Sequence, residues 1–113
     1  MLDVCYSPHY FARTHTNSME KLSAVADALK TWGKIRFHEP PSIDIDLLRQ
    51  LHDPQYIDAF LTGTPEKLAT FSGFKPWNEQ LRDAVLKINA GQILAAELAW
   101  KNGISANIAQ GFH

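Results

Sequence analysis

The sequence NEQLRDAVLKINAGQILAAELAWKNGISANIAQGFH, residues 78–113, contains a long helical pattern followed directly by a short β-prone run. Apolar residues recur at helical spacing as far as residue 102, and Gly103 is placed to end that helix. The run 104–109 has the length of a strand and leads into Gly111. A helix that returns the chain to a new strand is typical of an α/β protein.

The long helix carries small residues that predict a close neighbour. They are Ala90, Gly91, Ala95, Ala96 and Ala99. A glycine inside a helix costs roughly 1 kcal/mol relative to alanine unless close packing compensates for it. We therefore expect Gly91 to let the helix backbone approach a sheet.

The first part of the chain shows the same alternation of strand and helix. Residues 2–6 and 35–37 are β-prone, and each run ends shortly before a proline. Between them, Asn17 and Glu20 resemble a capping box, an apolar face follows, and Gly33 is placed to end the helix. This pattern predicts a strand, helix, strand unit.

Shorter helices are predicted in the middle of the chain, over residues 46–51 and 53–63, with a brief helical turn at 64–69. The run 70–77 is rich in aromatic residues, glycine and proline, has no periodicity and is predicted to be a loop. Residues 1–113 are therefore expected to form a single α/β domain. In it, three short parallel strands joined by right-handed crossovers pack with about four helices.

Composition and charge exclude several classes of partner. With 11 basic and 12 acidic residues the chain has no cationic surplus, so we expect no nucleic acid. The apolar-rich run 88–100 is too short and too polar to span a bilayer, so we expect no membrane contact. The chain starts without a basic segment before an apolar run and has one cysteine, Cys5, which predicts a cytoplasmic protein without disulfides.

The histidines lack the spacing of a metal site. No two of them are two, three or four residues apart, and the single cysteine provides no thiolate pair; the five are His9, His15, His38, His52 and His113. We therefore expect this chain alone to bind no metal.

Functional residues of parallel sheets gather at the carboxyl ends of the strands. Here those ends are the loops at 7–16 and 38–42 and the segment from 110 onward. Two roles remain open for His9 and His15, which either face such a site or only order their own loop.

Segments near both ends resemble zinc-dependent deacetylases. VCYSP at residues 4–8 and HTNSMEKL at 15–22 are similar to the opening of histone deacetylases and bacterial acetylpolyamine amidohydrolases, where the second segment reads His-Pro-Glu-x-Pro-x-Arg-Leu. His15 and Leu22 match outright. ANIAQGFH at 106–113 resembles the strand that leads into Gly-Gly-x-His-His-Ala in that family.

Two central segments resemble the family in the same order. LHDPQYI at 51–57 is similar to Val-His-x-x-x-Tyr-Val, and NAGQ at 89–92 stands where the family has a Gly-Gly pair inside a helix. The resemblance covers the whole chain. It implies the arginase/deacetylase fold, with these strands as the first three of a larger doubly wound parallel sheet. The chain is then the amino-terminal part of a catalytic domain.

The activity implied by the resemblance is hydrolysis of acetyl-lysine or acetylpolyamine amides. In the family, Zn²⁺ held by two aspartates and one histidine polarises the carbonyl and activates water, a tandem histidine pair moves protons, and a tyrosine stabilises the oxyanion. His113 corresponds to the first histidine of that pair and is the implied catalytic residue. The metal ligands lie further downstream in the family, so zinc is implied for the full-length member and not for this chain alone.

The resemblance also implies residues of the channel or active-site loop: Tyr6, His15, Lys21, Gly111 and Phe112. Lys21 stands where the family has an arginine, and lysine cannot reproduce the bidentate fork of a guanidinium. A channel role and a solvated place on the first helical turn both remain open for Lys21. Gln110 departs from the glycine that precedes the family's histidine pair.

Three functions remain as expectations. The first is the amino-terminal segment of a deacetylase, inactive on its own. The second is a non-catalytic interaction or dimerisation module, and the third is a small enzyme with an unrecognised site. Because the strand at 104–109 would be interior in the larger sheet, its open edge predicts self-association that buries Ile104, Ile108 and Phe112.

Overall fold

The strands and helices alternate along the computed structural model, which describes residues 1–110. The strands are β1 (Leu2–Cys5), β2 (Ile35–His38) and β3 (Ser105–Asn107). The α-helices are α1 (Lys21–Trp32), α2 (Ile45–Leu51), α3 (Pro54–Thr62), α4 (Glu66–Ala69) and α5 (Glu79–Asn102), and a short 3₁₀ helix occupies Pro8–Tyr10. The predicted α/β class is confirmed. The turn expected at 64–69 forms the one-turn helix α4.

The three strands form a parallel sheet in the order β2-β1-β3. Leu2 pairs with Ile35 at the start of the β1–β2 ladder, and Asp3 pairs with Ser105 at the start of the β1–β3 ladder. Parallel neighbours require crossover connections; here α1 lies between β1 and β2 in the chain, and α2 to α5 lie between β2 and β3. The central strand β1 therefore has both neighbours, and its residues Val4 and Cys5 are fully buried.

Helix boundaries follow the local signals in the sequence. The carboxylate of Asp53 caps α3, Pro54 occupies the first turn, and Gly63 ends the helix with φ of 81°. Gly33 ends α1 in the same left-handed conformation, with φ of 74°. The capping box expected for α1 is not formed, because α1 begins at Lys21 and the side chain of Glu20 makes no cap hydrogen bond.

Helix α5 lies against β1, β3 and the 3₁₀ helix, and its buried face combines the small residues Ala84, Ala90, Gly91 and Ala95 with Leu81 and Ile88. Gly91 is buried there, and a Cβ atom on it would overlap Tyr10 Oη and lie 2.9 Å from Asn107 Oδ1. The predicted close approach at Gly91 is confirmed, although the group that needs the space is a tyrosine hydroxyl and not the sheet backbone. Within residues 1–110 no helix has the length and apolar character needed to cross a bilayer.

The two faces of the sheet differ in polarity. The face toward α5 carries polar side chains, since Ser105 Oγ donates to the carbonyl of Ala95 and Asn107 Nδ2 donates to the carbonyl of Ile88 over 3.2 Å. Side chains alternate along a strand, so Val4 and Ile35 lie on the opposite, apolar face. The α5 face therefore combines close helix packing with hydrogen bonds.

Candidate functional site at the carboxyl ends of the strands

The carboxyl ends of the three strands are joined by backbone hydrogen bonds. The amide of Tyr6 donates to the carbonyl of His38 over 3.1 Å, which ties the end of β1 to the end of β2. The amide of Ile108 donates to the carbonyl of Cys5 over 3.0 Å, which ties the chain after β3 to the end of β1. The loops that follow β1, β2 and β3 therefore leave the sheet side by side.

Ser7 anchors the loop after β1. It is fully buried, its Oγ accepts a hydrogen bond from the amide of His9 at 3.1 Å, and its hydroxyl donates to Glu39 Oε1 at 3.0 Å. The first bond caps the 3₁₀ helix Pro8–Tyr10, and the second reaches the loop after β2. The side chain of His9 is exposed. His9 helps to order this loop through its backbone amide, which donates to Ser7.

Tyr10 connects the same loop to the end of β3. Its side chain is 1% exposed, and its hydroxyl donates to Asn107 Oδ1 over 2.7 Å. Asn107 Nδ2 continues the chain of hydrogen bonds to the carbonyl of Ile88 in α5. Burial raises the pKa of Tyr10 well above its ordinary value. Tyr10 therefore stays a neutral donor and holds Asn107 in a fixed orientation.

Tyr6 lines a small cavity of about 350 Å³. Its ring meets the edge of Tyr10 at a centroid distance of 5.7 Å and an interplanar angle of 75°. Burial raises the pKa of Tyr6, and the nearby charges of Asp27 and Glu39 add to the shift. The lining residues are Tyr6, Pro8, Tyr10, Phe11, Met19, Glu20, Leu22 and Ser23. The cavity joins the loop after β1 to the start of α1.

Among the described residues, no hydrogen bond, ion pair or ring contact joins His15 or Lys21 to Tyr6. The backbone amide of His15 donates to the carbonyl of Lys75 over 2.8 Å, and its ring packs edge-on against Phe74 at 6.2 Å. The ring atom Nδ1 lies 3.3 Å from the same carbonyl oxygen. These contacts support the loop-ordering role of His15. Lys21 is exposed on the first turn of α1 and follows Glu20, which lines the Tyr6 cavity.

The remaining implied site residues, Gly111, Phe112 and His113, lie outside the described residues. Ile108 and Ala109 are half-buried and pack against the core cluster that contains Tyr10 and Ile88.

Sequence analysis did not predict the buried carboxylate of Asp3 in the central strand β1. The side chain of Asp3 is 3% exposed, lies 2.9 Å from His38 Nε2 and accepts a hydrogen bond from Asn102 Nδ2 over 2.8 Å. Arg36 Nη1 lies 3.6 Å from the same carboxylate. The hydrogen bond from His38, followed by that from Asn102, holds the pKa of Asp3 below its ordinary value, against the effect of desolvation. The signal in the sequence that could have indicated this site is Asp3 itself, an aspartate inside the otherwise apolar run of β1.

A second, larger cleft of about 480 Å³ lies between α2, α3, α4 and α5. Its walls are mainly apolar and aromatic, and His52 lies 6.4 Å from the ring of Tyr56 along one side. Burial raises the pKa of Tyr56. The lining residues are Leu48, His52, Asp53, Tyr56, Ile57, Phe60, Leu68, Phe71, Ser72, Val85, Leu86 and Asn89. His52 thus lies at a junction between helices, away from the strand ends.

No metal centre is formed by residues 1–110, in which no three histidine, cysteine, aspartate or glutamate side chains come together as ligands. Asp3 and His38 are neighbours, but their other contacts are Asn102 and the cationic Arg36. A cation would be repelled by Arg36, so Asp3 and His38 are better described as a structural hydrogen-bonded pair.

Comparison with known proteins shows a similarity to a longer protein. No protein-family model matches the sequence. The chain is 29% identical over 116 residues to an uncharacterized protein of Picosynechococcus sp. (strain ATCC 27264 / PCC 7002 / PR-6). The match covers 97% of this chain and 39% of that protein, so the chain spans about two fifths of the length of the curated relative it matches. Because the relative is uncharacterized, this similarity assigns no activity.

Proposed function

We propose that this chain forms the amino-terminal part of a zinc-dependent deacetylase of the histone deacetylase and acetylpolyamine amidohydrolase type. The substrate class would be an acetylated amine, either acetyl-lysine or an acetylpolyamine. The similarity to a relative that extends well beyond the matched region is compatible with a role as one portion of a larger protein.

One observation carries this proposal. Two of the segments that resemble the family, residues 4–8 and 106–113, are distant in sequence, yet β1 and β3 pair directly. Val4 pairs with Ala106 and Cys5 with Asn107, so the loop with Tyr6 and the segment leading to His113 leave the same edge of the sheet. Ligand sites of parallel α/β sheets lie at this edge.

The described residues would contribute orientation to such a site. Tyr10 holds Asn107 through a buried hydrogen bond, and Ser7 holds the loop after β1 against Glu39. These bonds fix the directions in which both segments leave the sheet. Tyr6 would form part of the wall of the substrate channel, because its half-buried ring borders the cavity at the strand ends.

The zinc ion of the family does not fit the side chains of residues 1–110, which bring no three metal ligands together. Its ligands would have to come from other parts of a longer protein. No catalytic step that passes through the metal is therefore assigned to these residues. His113 remains the residue proposed to move a proton.

The decisive experiment uses the longer relative as a host for this chain. The portion of the Picosynechococcus protein that matches this chain is replaced by residues 1–113, and zinc content and acetate release from acetyl-lysine peptides and acetylpolyamines are measured. We expect zinc-dependent acetate release from the unmodified relative and from the chimera, and its loss in the chimera with His113→Ala. Folded, zinc-loaded relative that releases no acetate from either substrate class would overturn the proposal.

We further propose a cytoplasmic setting for the protein. Cys5 is a free, fully buried thiol in the central strand, and burial followed by the charge of Asp3 raises its pKa. A single cysteine, which has no second cysteine in the chain to pair with, is the cysteine usage typical of reducing compartments.

A further inference from the structure

The two outer edges of the sheet differ in charge. The segment that contains the β2 edge includes Lys34, Arg36 and Glu39, and charged residues of this kind discourage the addition of another strand. The β3 edge has no such protection, because residues 102–110 contain no lysine, arginine, aspartate or glutamate. Within the described residues β3 pairs only with β1. No charged side chain in this segment therefore opposes the pairing of another strand with the outer edge of β3.

Backbone alternation shows which groups of β3 point outward. The amide of Ile108 donates to the carbonyl of Cys5, so the backbone groups of Ile108 and, two residues earlier, of Ala106 point toward β1. The amide and carbonyl groups of Ser105 and Asn107 therefore point away from β1. They form the hydrogen-bonding edge that a further strand would meet.

We propose that this edge pairs with the same edge of a second copy of the chain, antiparallel and about a two-fold axis at Ala106. In this register Ser105 faces Asn107 of the second copy, and the pair can exchange both backbone hydrogen bonds. Ile104 then faces Ile108 of the second copy on the other face of the sheet. The strand is thus complementary to itself in both its polar and its apolar positions.

Side-chain exposure supports this register. Ile104 is 67% exposed, whereas Ile108 is half-buried against the core. An isoleucine pair across the axis would cover Ile104, and cross-strand apolar pairs of this kind stabilise a sheet. Ala106 on the axis is exposed and small, so the two copies can approach closely.

A second copy fits the uncharged edge better than a charged peptide does. A basic or acidic partner would find no counter-ion between residues 102 and 110. The inference concerns the 113-residue chain and does not depend on the deacetylase proposal. In a longer protein that adds its own strand beside β3, the edge would already be occupied, so the experiment uses the 113-residue chain.

Sedimentation equilibrium of the 113-residue chain tests the proposal. We expect a reversible dimer, and we expect Ile104→Lys to raise the dimer dissociation constant by roughly tenfold or more, because it places a charge in an apolar pair. The matched control is Ile93→Lys, which makes the same change at an exposed position of α5 and should leave dimerisation unchanged. Equal effects of the two variants would mean that β3 is not the contact.

A backbone variant separates edge pairing from side-chain effects. Ser105→Pro removes the outward amide and should abolish the dimer, whereas Ser105→Ala loses only the bond to the Ala95 carbonyl and should remain dimeric. Hydrogen exchange of the unmodified chain gives a reading without any variant: the Ser105 and Asn107 amides should be protected when concentrated and exchange faster on dilution. A monodisperse monomer at high concentration, or no dilution effect at these amides, would overturn the proposal.

Discussion

The hydroxyl of Tyr10 lies over Gly91, in the space that a Cβ atom of residue 91 would fill. This contact joins the 3₁₀ helix after β1 to the middle of α5. It also explains why a helix otherwise rich in good helix formers contains a glycine, since an alanine at this position would displace a hydroxyl that is hydrogen-bonded to Asn107.

The first prediction concerns Gly91. We expect Gly91→Leu to lower the free energy of unfolding by about 1 to 3 kcal/mol through overpacking, although leucine is the better helix former. Chemical denaturation of the two proteins measures the difference. An unchanged or higher unfolding free energy would show that α5 can shift away from Tyr10 at no cost.

A double-mutant cycle ties this effect to Tyr10. Gly91→Ala should destabilise the native protein but cost less in the background of Tyr10→Phe, because the overlapping hydroxyl is then absent. For Gly91→Leu the matched control is Ala96→Leu, which introduces the same side chain at an exposed position of the same helix. Additive effects of Gly91→Ala and Tyr10→Phe would place the cost of the added methyl group elsewhere.

The second prediction concerns the hydroxyl of Tyr10 alone. Tyr10→Phe leaves the partly buried Oδ1 of Asn107 without its partner, which we expect to cost about 1 to 3 kcal/mol. Tyr56→Phe is the matched control, because no hydrogen bond of the Tyr56 hydroxyl is found among the described residues. Thermal and chemical unfolding of both variants provide the comparison. Equal destabilisation would show that the hydrogen bond from Tyr10 to Asn107 contributes no more to stability than the hydroxyl of Tyr56 does.

Much of the fold could be predicted from local signals. Asp53, Pro54 and Gly63 fix both ends of α3 through capping geometry that depends only on neighbouring residues. The apolar run at 104–109 indicated β3, but its ladder covers only Ser105–Asn107, because the length of a strand depends on where its neighbour β1 ends. Local patterns predict the elements, and the sheet sets their limits.

Contacts between distant residues could not be predicted in this way. Tyr10 and Asn107 are separated by 97 positions, and neither residue type by itself indicates a buried hydrogen bond. The parallel strands were predicted from the sequence, and in the structure the loops after β1 and β2 leave the sheet at the same edge, whereas the predicted segment from residue 110 onward lies largely outside the described residues. His15 was assigned to the loop after β1, but its direction depends on the carbonyl of Lys75, which no local pattern reveals.

The third prediction concerns acid stability. Because the pKa of Asp3 is lowered in the folded state, its ionised form stabilises the fold above the ordinary pKa of aspartate. That contribution is lost as the pH falls through the lowered folded-state value. We therefore expect Asp3→Asn to be less stable than the native protein near neutral pH and to show a weaker loss of stability on acidification. Unfolding measured across the acidic range tests this, with Asp46→Asn as a control for the loss of one exposed negative charge.

The hydrogen bond from His38 is the largest cause of that lowered pKa. His38→Ala should therefore raise the pKa of Asp3 toward its ordinary value, and carbon-13 NMR of the Asp3 carboxylate would measure the change directly. Asn102→Ala should also raise the pKa of Asp3, but by a smaller amount, because the hydrogen bond from Asn102 lowers that pKa less than the one from His38 does. The reverse order of the two effects would show that Asn102, at the end of α5, is the dominant partner.

The last prediction concerns zinc and the 113-residue chain by itself. Residues 1–110 bring no three metal ligands together, and Zn²⁺ sites in proteins are usually held by three or four side chains at fixed distances. We expect the purified chain to bind zinc no more tightly than its His113→Ala variant, and to release no acetate from acetyl-lysine or acetylpolyamine substrates. Metal analysis after dialysis against limiting zinc, combined with an acetate assay, measures both properties. Stoichiometric tight zinc that disappears in His113→Ala would show that residue 113 completes a site with ligands from the described part of the chain, and the role proposed for His113 would then change from moving a proton to holding the metal.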